Sequence, residues 1–141
     1  MIGYIENAAV TLPLKNGWYH TADQGQMYAD GRIDFAGRSG DILNAGGYRV
    51  APREIEHLLE ACPGVIEVGV TEVEVRPDVF VIAAFVVVAP QCDLTEIDAL
   101  VARDLARYKQ PRIVQKVPAL PRNVNGKLIR AALPQLWKSQ L

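Results

Sequence analysis

Cysteine is nearly absent from this chain. Cys62 and Cys92 stand far apart, in neither a close pair nor a metal spacing. That excludes a disulfide scaffold and fits buried thiols in a reducing compartment, the cytoplasm. Histidine is as scarce. His20 and His57 are widely separated and form no cluster with the cysteines, so no structural metal is expected. Long apolar runs are missing too. The most apolar stretch, Val79 to Pro90, is too short to cross a bilayer, and no membrane span is read. No basic segment followed by an apolar core opens the chain, so no signal peptide is read. Internal repeats and low-complexity tracts are absent.

What is present has the profile of a globular protein: 50% hydrophobic and 22% charged residues in a chain of 141, enough for one domain and hardly for two. The net charge of -1 hides an asymmetry. From residue 101 onward there are nine basic groups and one acidic, whereas the first 100 residues hold six basic and fifteen acidic. A basic end on an acidic body suits an anionic partner, or forms a solvated face. Nucleic acid is not the expected anion, because Tyr108 is the only aromatic among these basic residues before Trp137.

Residues 1 to 36 read as strands and turns. Asn16-Gly17 and Asp30-Gly31 are strong turn dipeptides, and a hairpin is expected around the second. A two-stranded unit is marginal alone. The segment therefore reads as the trailing edge of a larger domain, and Met1 is not expected to be a natural start. Pro52 then opens a helix to about Ala61, with Ile55, Leu58, Leu59 and Cys62 on its apolar stripe and Glu54 and Glu56 near the positive end of its dipole. Pro63-Gly64 stops it. Val65 to Val75 and Val79 to Val88 read as an antiparallel hairpin around Arg76-Pro77-Asp78, the second strand buried on both faces. Asp93 or Thr95 caps a helix to about Tyr108, with Ile97, Leu100, Val101, Leu105 and Tyr108 facing the core and Pro111 ending it. A short strand, Ile113 to Val117, follows. The last helix covers about Leu128 to Trp137, which Pro134 permits only if it bends or shortens. The expected fold class is α+β: a small sheet of about three strands packed with helices, preceded by a β-hairpin remnant of a larger domain.

Three stretches concentrate polar residues that local structure does not demand. In His20-Thr21-Ala22-Asp23-Gln24-Gly25, the Asp23 carboxylate offers two acceptor oxygens, suited to vicinal hydroxyls such as those of a ribose, or to a plain turn. In Gly37 to Glu56, Arg38 carries a fork that suits phosphate or ribose oxygens, and Gly46-Gly47 before Tyr48 lets a ligand approach the backbone. The same glycines also make an ordinary tight loop. In Pro121 to Lys127, Asn125-Gly126 makes a sharp turn with Lys127 at its tip, placed to meet a phosphate and a carboxylate or to stand in solvent.

Taken in order, Trp18-Tyr19-His20-Thr21-Ala22-Asp23, Gly37-Arg38, Gly46-Gly47-Tyr48-Arg49, Pro52-Arg53-Glu54-Ile55-Glu56, Tyr108-Lys109-Gln110-Pro111-Arg112 and Pro121 to Lys127 resemble the C-terminal part of the adenylate-forming enzymes. These are acyl-CoA synthetases, adenylation domains of peptide synthetases, and luciferases. The resemblance covers essentially the whole chain, and Met1-Ile2-Gly3-Tyr4 looks like the family's Met-x-Gly-Tyr motif. It implies that residues 1–38 are the C-terminal edge of the large N-terminal adenylation domain and 39–141 the mobile C-terminal lid. The family's upstream phosphate loop and acyl pocket are absent here.

The resemblance further implies an ATP-dependent carboxylic acid–thiol ligase, using ATP with Mg²⁺ and CoA in the full-length enzyme, none of them expected to bind tightly to this fragment. Residue by residue, Asp23 is expected to bind the ribose hydroxyls and Arg38 the same ribose or nearby phosphate oxygens. Lys127 is expected to bridge the α-phosphate and the substrate carboxylate. The hinge of relatives, an Asp or Lys two residues after the Arg, falls here on Gly40, with Asp41 next: either Gly40 loosens the pivot or Asp41 takes it over. Gly46, Gly47 and Tyr48 are expected to line the CoA or pantetheine passage once the lid has turned. The expected partners are the N-terminal adenylation domain of the same polypeptide, the acid, and CoA or a carrier-protein pantetheine. Lys127 also sits in a Pro-x-x-x-x-Gly-Lys pattern like that of synthetases switched off by lysine acetylation. Two other classes fit the residues: a stand-alone lid-fold binding or regulatory module, and an anion-binding module using the basic tail.

Overall fold

The computed structural model describes residues 4–6, 9–11 and 14–138. The first three residues of the Met-x-Gly-Tyr match lie outside them. The chain divides into two compact units, Met1–Ser39 and Gly40–Leu141.

Among the described residues the smaller unit holds three antiparallel ribbons: β1 (Tyr4–Glu6) with β2 (Ala9–Thr11), β3 (Leu14–Lys15) with β4 (Trp18–Tyr19), and β5 (Asp23–Met27) with β6 (Ile33–Arg38). The Asn16-Gly17 turn has φ of 53° and 80°, positive at both positions as the tightest hairpin connection requires. At the second hairpin, Gly31 donates to the Tyr28 carbonyl at 3.0 Å and Asp30 Oδ1 accepts from the Arg32 N–H at 3.0 Å. Tyr28 donates its hydroxyl to Asp34 Oδ2 at 2.8 Å, which holds the phenol above its ordinary pKa. Trp18, Met27, Ile33 and Phe35 all stand exposed, Trp18 at 76%. Ile33, Asp34 and Phe35 therefore have no buried side here.

The larger unit opens with a short hairpin, β7 (Leu43–Ala45) and β8 (Tyr48–Val50). Next comes α1 (Pro52–Glu60), begun by Pro52, whose missing N–H costs nothing in a first turn. Gly64, at φ 83°, lets the chain reverse after it. Then β9 (Val65–Arg76) and β10 (Val79–Val88) pair antiparallel, α2 (Leu94–Asp104) crosses, and β11 (Ile113–Lys116) lies parallel to β10, giving the order β11-β10-β9. A 3-10 turn (Arg130–Ala132) leads into α3 (Leu133–Lys138).

β10 runs through the middle and is buried on both faces from Ile82 to Val86. Its alternation splits two cores. Ile82, Ala84 and Val86 join Ile55 and Leu59 of α1 and Ile97 and Val101 of α2. Ala83 and Phe85 join Val73, Val117, Leu120 and Leu133 on the other side. Gly69 is what lets the C-terminal segment dock: a Cβ there would sit 3.0 Å and 3.1 Å from the two methyls of Leu133. The α+β class and the three-stranded sheet agree with the sequence reading.

Two helix bounds differ from it, and one open choice is settled. Asp93 takes the cap of α2, its carboxylate accepting the Thr95 N–H at 2.9 Å, which lowers its pKa. That helix ends at Asp104, short of Tyr108. Leu105 turns extended to keep its side chain in the core, and its carbonyl is met by the Gln110 amide at 2.9 Å. Tyr108 is thereby released from the core. Finally, Pro134 shortens the last helix: it occupies the first turn of α3, where its ring does no harm.

Candidate functional site

In the smaller unit, β5 and β6 place Asp23 opposite Arg38, and Arg38 Nε lies 3.3 Å from Asp23 Oδ1. Both side chains are half-exposed, so the guanidinium orients the carboxylate without hiding it. The residue before Asp23 is strained. Ala22 has φ 62°, a left-handed value that costs a residue with a Cβ about 1–2 kcal/mol. It is held there by the Ser39 N–H, which donates to the Ala22 carbonyl at 2.8 Å, and the next N–H, of Asp23, donates to Thr21 Oγ1 at 3.1 Å. The strained residue is thus fixed from both sides, directly before the Asp23 carboxylate.

Gly40 opens the larger unit, and a Cβ on it would meet nothing within 4 Å. Asp41 differs: its Oδ2 lies 3.7 Å from Arg130 Nε, an ion pair inside the larger unit. Of the two hinge candidates, only Asp41 is tied down among the described residues.

Gly46-Gly47 forms the turn of the β7–β8 hairpin, with φ of 58° and 89°. The Asn44 N–H, one strand back, donates to the Glu72 carboxylate and fastens this hairpin to β9. Tyr48 stacks on Tyr108, ring centroids 4.4 Å apart and planes 27° off parallel. The two rings, with Gly46, Phe80, Arg107 and Arg112, line an open cleft of about 450 Å³. Lys109 donates to Glu54 Oε1 at 2.5 Å, and that bond holds its ammonium above the ordinary lysine pKa. Sequence reading had put Tyr108 in the core. Its place beside an exposed glycine turn was foreshadowed only by the basic residues around it.

Lys127 sits at the end of a turn in which Asn123 does most of the holding. Asn123 Oδ1 accepts the N–H of Asn125 at 3.0 Å and of Lys127 at 2.9 Å, while the Asn123 N–H donates to the Lys127 carbonyl at 2.9 Å. Gly126, at φ 77°, makes the reversal. The Lys127 side chain is exposed, and no hydrogen bond or ion pair engages its ammonium among the described residues. The Lys127 turn borders a second cleft, lined in part by Glu56, Glu67, Arg122 and Arg130, that shares no lining residue with the first.

Sequence reading missed the pair beneath that cleft. Glu56 is only 2% exposed. It accepts from both terminal nitrogens of Arg130 and from the Val70 N–H at 2.9 Å, and Arg130 also donates to the Val70 carbonyl. A signal was there: Pro52, Ile55, Glu56 and Leu59 share one helical face, so Glu56 lies on the apolar stripe. Its partner, 74 residues away, had none. No group of three or more His, Cys, Asp or Glu gathers as metal ligands among the described residues, and no described helix is long and apolar enough to cross a membrane.

Comparison with known proteins adds the following. The chain is 40% identical over 134 residues to human mitochondrial acyl-coenzyme A synthetase ACSM1, covering 88% of this chain and 23% of that one. It is 36% identical over 126 residues to 2-succinylbenzoate–CoA ligase of Bacillus velezensis, covering 89% and 26%. In structure it resembles O-succinylbenzoate coenzyme A synthetase from Bacillus subtilis in complex with ATP and magnesium ion, with TM-score 0.77, 32% identity, and 85% and 25% of the two chains covered. The chain thus spans about a quarter of the length of the relatives it matches. A family model described as the AMP-binding enzyme C-terminal domain matches residues 54–127, just over half the chain. This chain belongs to that family, the C-terminal domain of acyl-CoA synthetase-like adenylate-forming enzymes.

Proposed function

We propose that this chain serves an ATP-dependent carboxylic acid–thiol ligase of the cytoplasm, with residues 1–38 the trailing edge of its large domain and 39–141 its mobile lid. In the first half-reaction a carboxylate oxygen of the acid attacks the α-phosphorus of ATP, the bond to pyrophosphate breaks, and an acyl-adenylate forms. In the second, a thiol sulfur of CoA or pantetheine attacks the acyl carbon and AMP leaves. The exposed apolar side chains of the smaller unit, led by Trp18, are the surface a larger domain would cover.

The observation that carries the reading is the unpaired Lys127 ammonium on a residue whose backbone N–H and C=O are both hydrogen-bonded to Asn123. A preset cation offsets charge that builds between carboxylate and phosphate without reorganising during the reaction. Asp23, aimed by Arg38, would accept from the ribose hydroxyls. Between half-reactions the lid turns about Gly40, with Asp41 moving as part of the lid because Arg130 holds it. Gly46 and Gly47 then leave room for the pantetheine arm. The Tyr48–Tyr108 stack and the two arginines beside it offer an aromatic face and positive charge to the nucleotide end of CoA.

The test is made on the full-length enzyme. Lys127→Ala should abolish ATP–pyrophosphate exchange and leave thiolation of a preformed acyl-adenylate intact. Equal loss of both steps would remove Lys127 from the role given to it. The 141-residue chain alone should show no exchange.

A further inference from the structure

We infer that Arg122 and Glu67 form a clamp that positions Lys127, an inference that rests on the adenylation reading above. A lysine on an exposed turn can serve a reacting centre only if the backbone beneath it is held. The Lys127 N–H and C=O are both bound to Asn123. The other polar atom of the peptide link that carries Lys127 is the Gly126 carbonyl, and this is where Arg122 acts. Its Nη1 donates to the Gly126 carbonyl at 2.6 Å. Its Nη2 lies 3.1 Å from Glu67 Oε1. Different terminal nitrogens make the two contacts, so one planar guanidinium bridges the turn to β9, where Glu67 sits in the sheet beside Val87.

Asn123 ties the turn only to itself. Gly126 has no side chain to restrain it, and a Cβ there would meet nothing within 4 Å. Arg122 is the contact that links the turn's own backbone to the sheet. As a half-exposed ion pair, Arg122–Glu67 adds little to folding stability. Its value lies in placement, since a shift of about 1 Å at a catalytic group can cost on the order of 10²-fold in rate.

Four variants of the full-length ligase test this: Arg122→Met, Glu67→Ala, Glu67→Gln and, as reference, Lys127→Ala. Arg122→Met should lower the turnover of ATP–pyrophosphate exchange by about 10- to 100-fold, with KM for ATP, thiolation of a preformed acyl-adenylate and the thermal midpoint all kept. Glu67→Ala should follow in the same direction, and Glu67→Gln, which retains an acceptor oxygen, should be milder. A merely structural pair would slow both half-reactions together; that result, or unchanged exchange in Arg122→Met, overturns the clamp. The reference separates the two layers. If Lys127→Ala abolishes exchange while Arg122→Met leaves it unchanged, only the clamp is wrong. If Lys127→Ala leaves exchange intact, the adenylation role itself falls.

Discussion

Two glycine-bearing turns of the larger unit, at Lys127 and at Gly46-Gly47, are tight for opposite reasons. Around Lys127, side chains do the holding: Asn123 and Arg122 meet the backbone of the turn, and Arg130, three residues on, is bonded to the buried Glu56. Around Gly46-Gly47 the tightness comes from left-handed backbone alone, with open space where a Cβ would stand on either residue. Its anchor is the Asn44 N–H in the middle of the short strand β7. On the proposed reading, the first turn keeps a cation still and the second keeps space clear. A charge that must meet a reacting atom needs placement, whereas a flexible thiol arm needs clearance.

The largest effect should come from breaking what lies under the first turn. Glu56→Ala leaves Arg130 charged and largely buried and the Val70 N–H without its acceptor, a change that typically costs about 3–5 kcal/mol. Urea unfolding of the 141-residue chain measures it. The amide signals of residues 122–130 should move while those of Gly46 and Gly47 stay. A loss under about 1 kcal/mol would reduce the pair to an ordinary surface contact and remove the main contrast between the turns.

Asn123→Ala should come next. It removes the acceptor for two N–H groups at an exposed site, worth about 1–2 kcal/mol together. In the full-length ligase it should slow ATP–pyrophosphate exchange and spare thiolation. If thiolation falls equally, the stiffness of this turn serves folding alone.

Both turns were legible in the sequence, because Asn-Gly and Gly-Gly state their backbone requirement locally. The hairpin of β9 and β10 was legible as well, since a two-sided core writes an unbroken apolar run from Ile82 to Val86. What escaped was non-local. Glu56 read as a residue favouring the helix dipole, because nothing near it in sequence announces Arg130. Tyr108 read as core because the apolar spacing of α2 carries on past Asp104 without a Gly or Pro to stop it. The stop is Leu105 turning extended, and the Gln110 amide meeting its carbonyl needs the fold already in place. The strain at Ala22 was equally silent, since no local rule puts an alanine at φ 62°.

Gly47→Ala asks whether clearance at the second turn is functional. The methyl meets no atom within 4 Å, so the cost is the left-handed backbone, about 1–2 kcal/mol. The full-length ligase should then lose thiolation rate while exchange persists, the mirror image of Asn123→Ala. Gly40→Ala is the control. Its backbone is not left-handed and its surroundings are open, so folding stability should stay within about 0.5 kcal/mol. Any slowing of both half-reactions by that variant reports the pivot.

The smallest effect, the Gly40 control aside, concerns the wall of the second turn. Lys109 bonds Glu54 and lies 5.7 Å over the Tyr108 ring, so the ion pair steadies the stack beside Gly46. Glu54→Gln should cost at most about 1 kcal/mol at neutral pH, because Glu54 is half-exposed. The sign of its pH dependence follows from Lys109. The Glu54 hydrogen bond raises the folded pKa above the unfolded one, so the stabilisation is complete below the ordinary lysine range and is lost as pH climbs through the raised value. The difference in urea midpoint between wild type and Glu54→Gln should therefore persist through neutral pH and close only in strong alkali. A difference that stays open there would mean that packing against Tyr108, rather than charge, holds Lys109 in place. The second turn would then resemble the first, with its surroundings fixed by side chains, and the contrast between a held cation and an open passage would narrow to the glycines themselves.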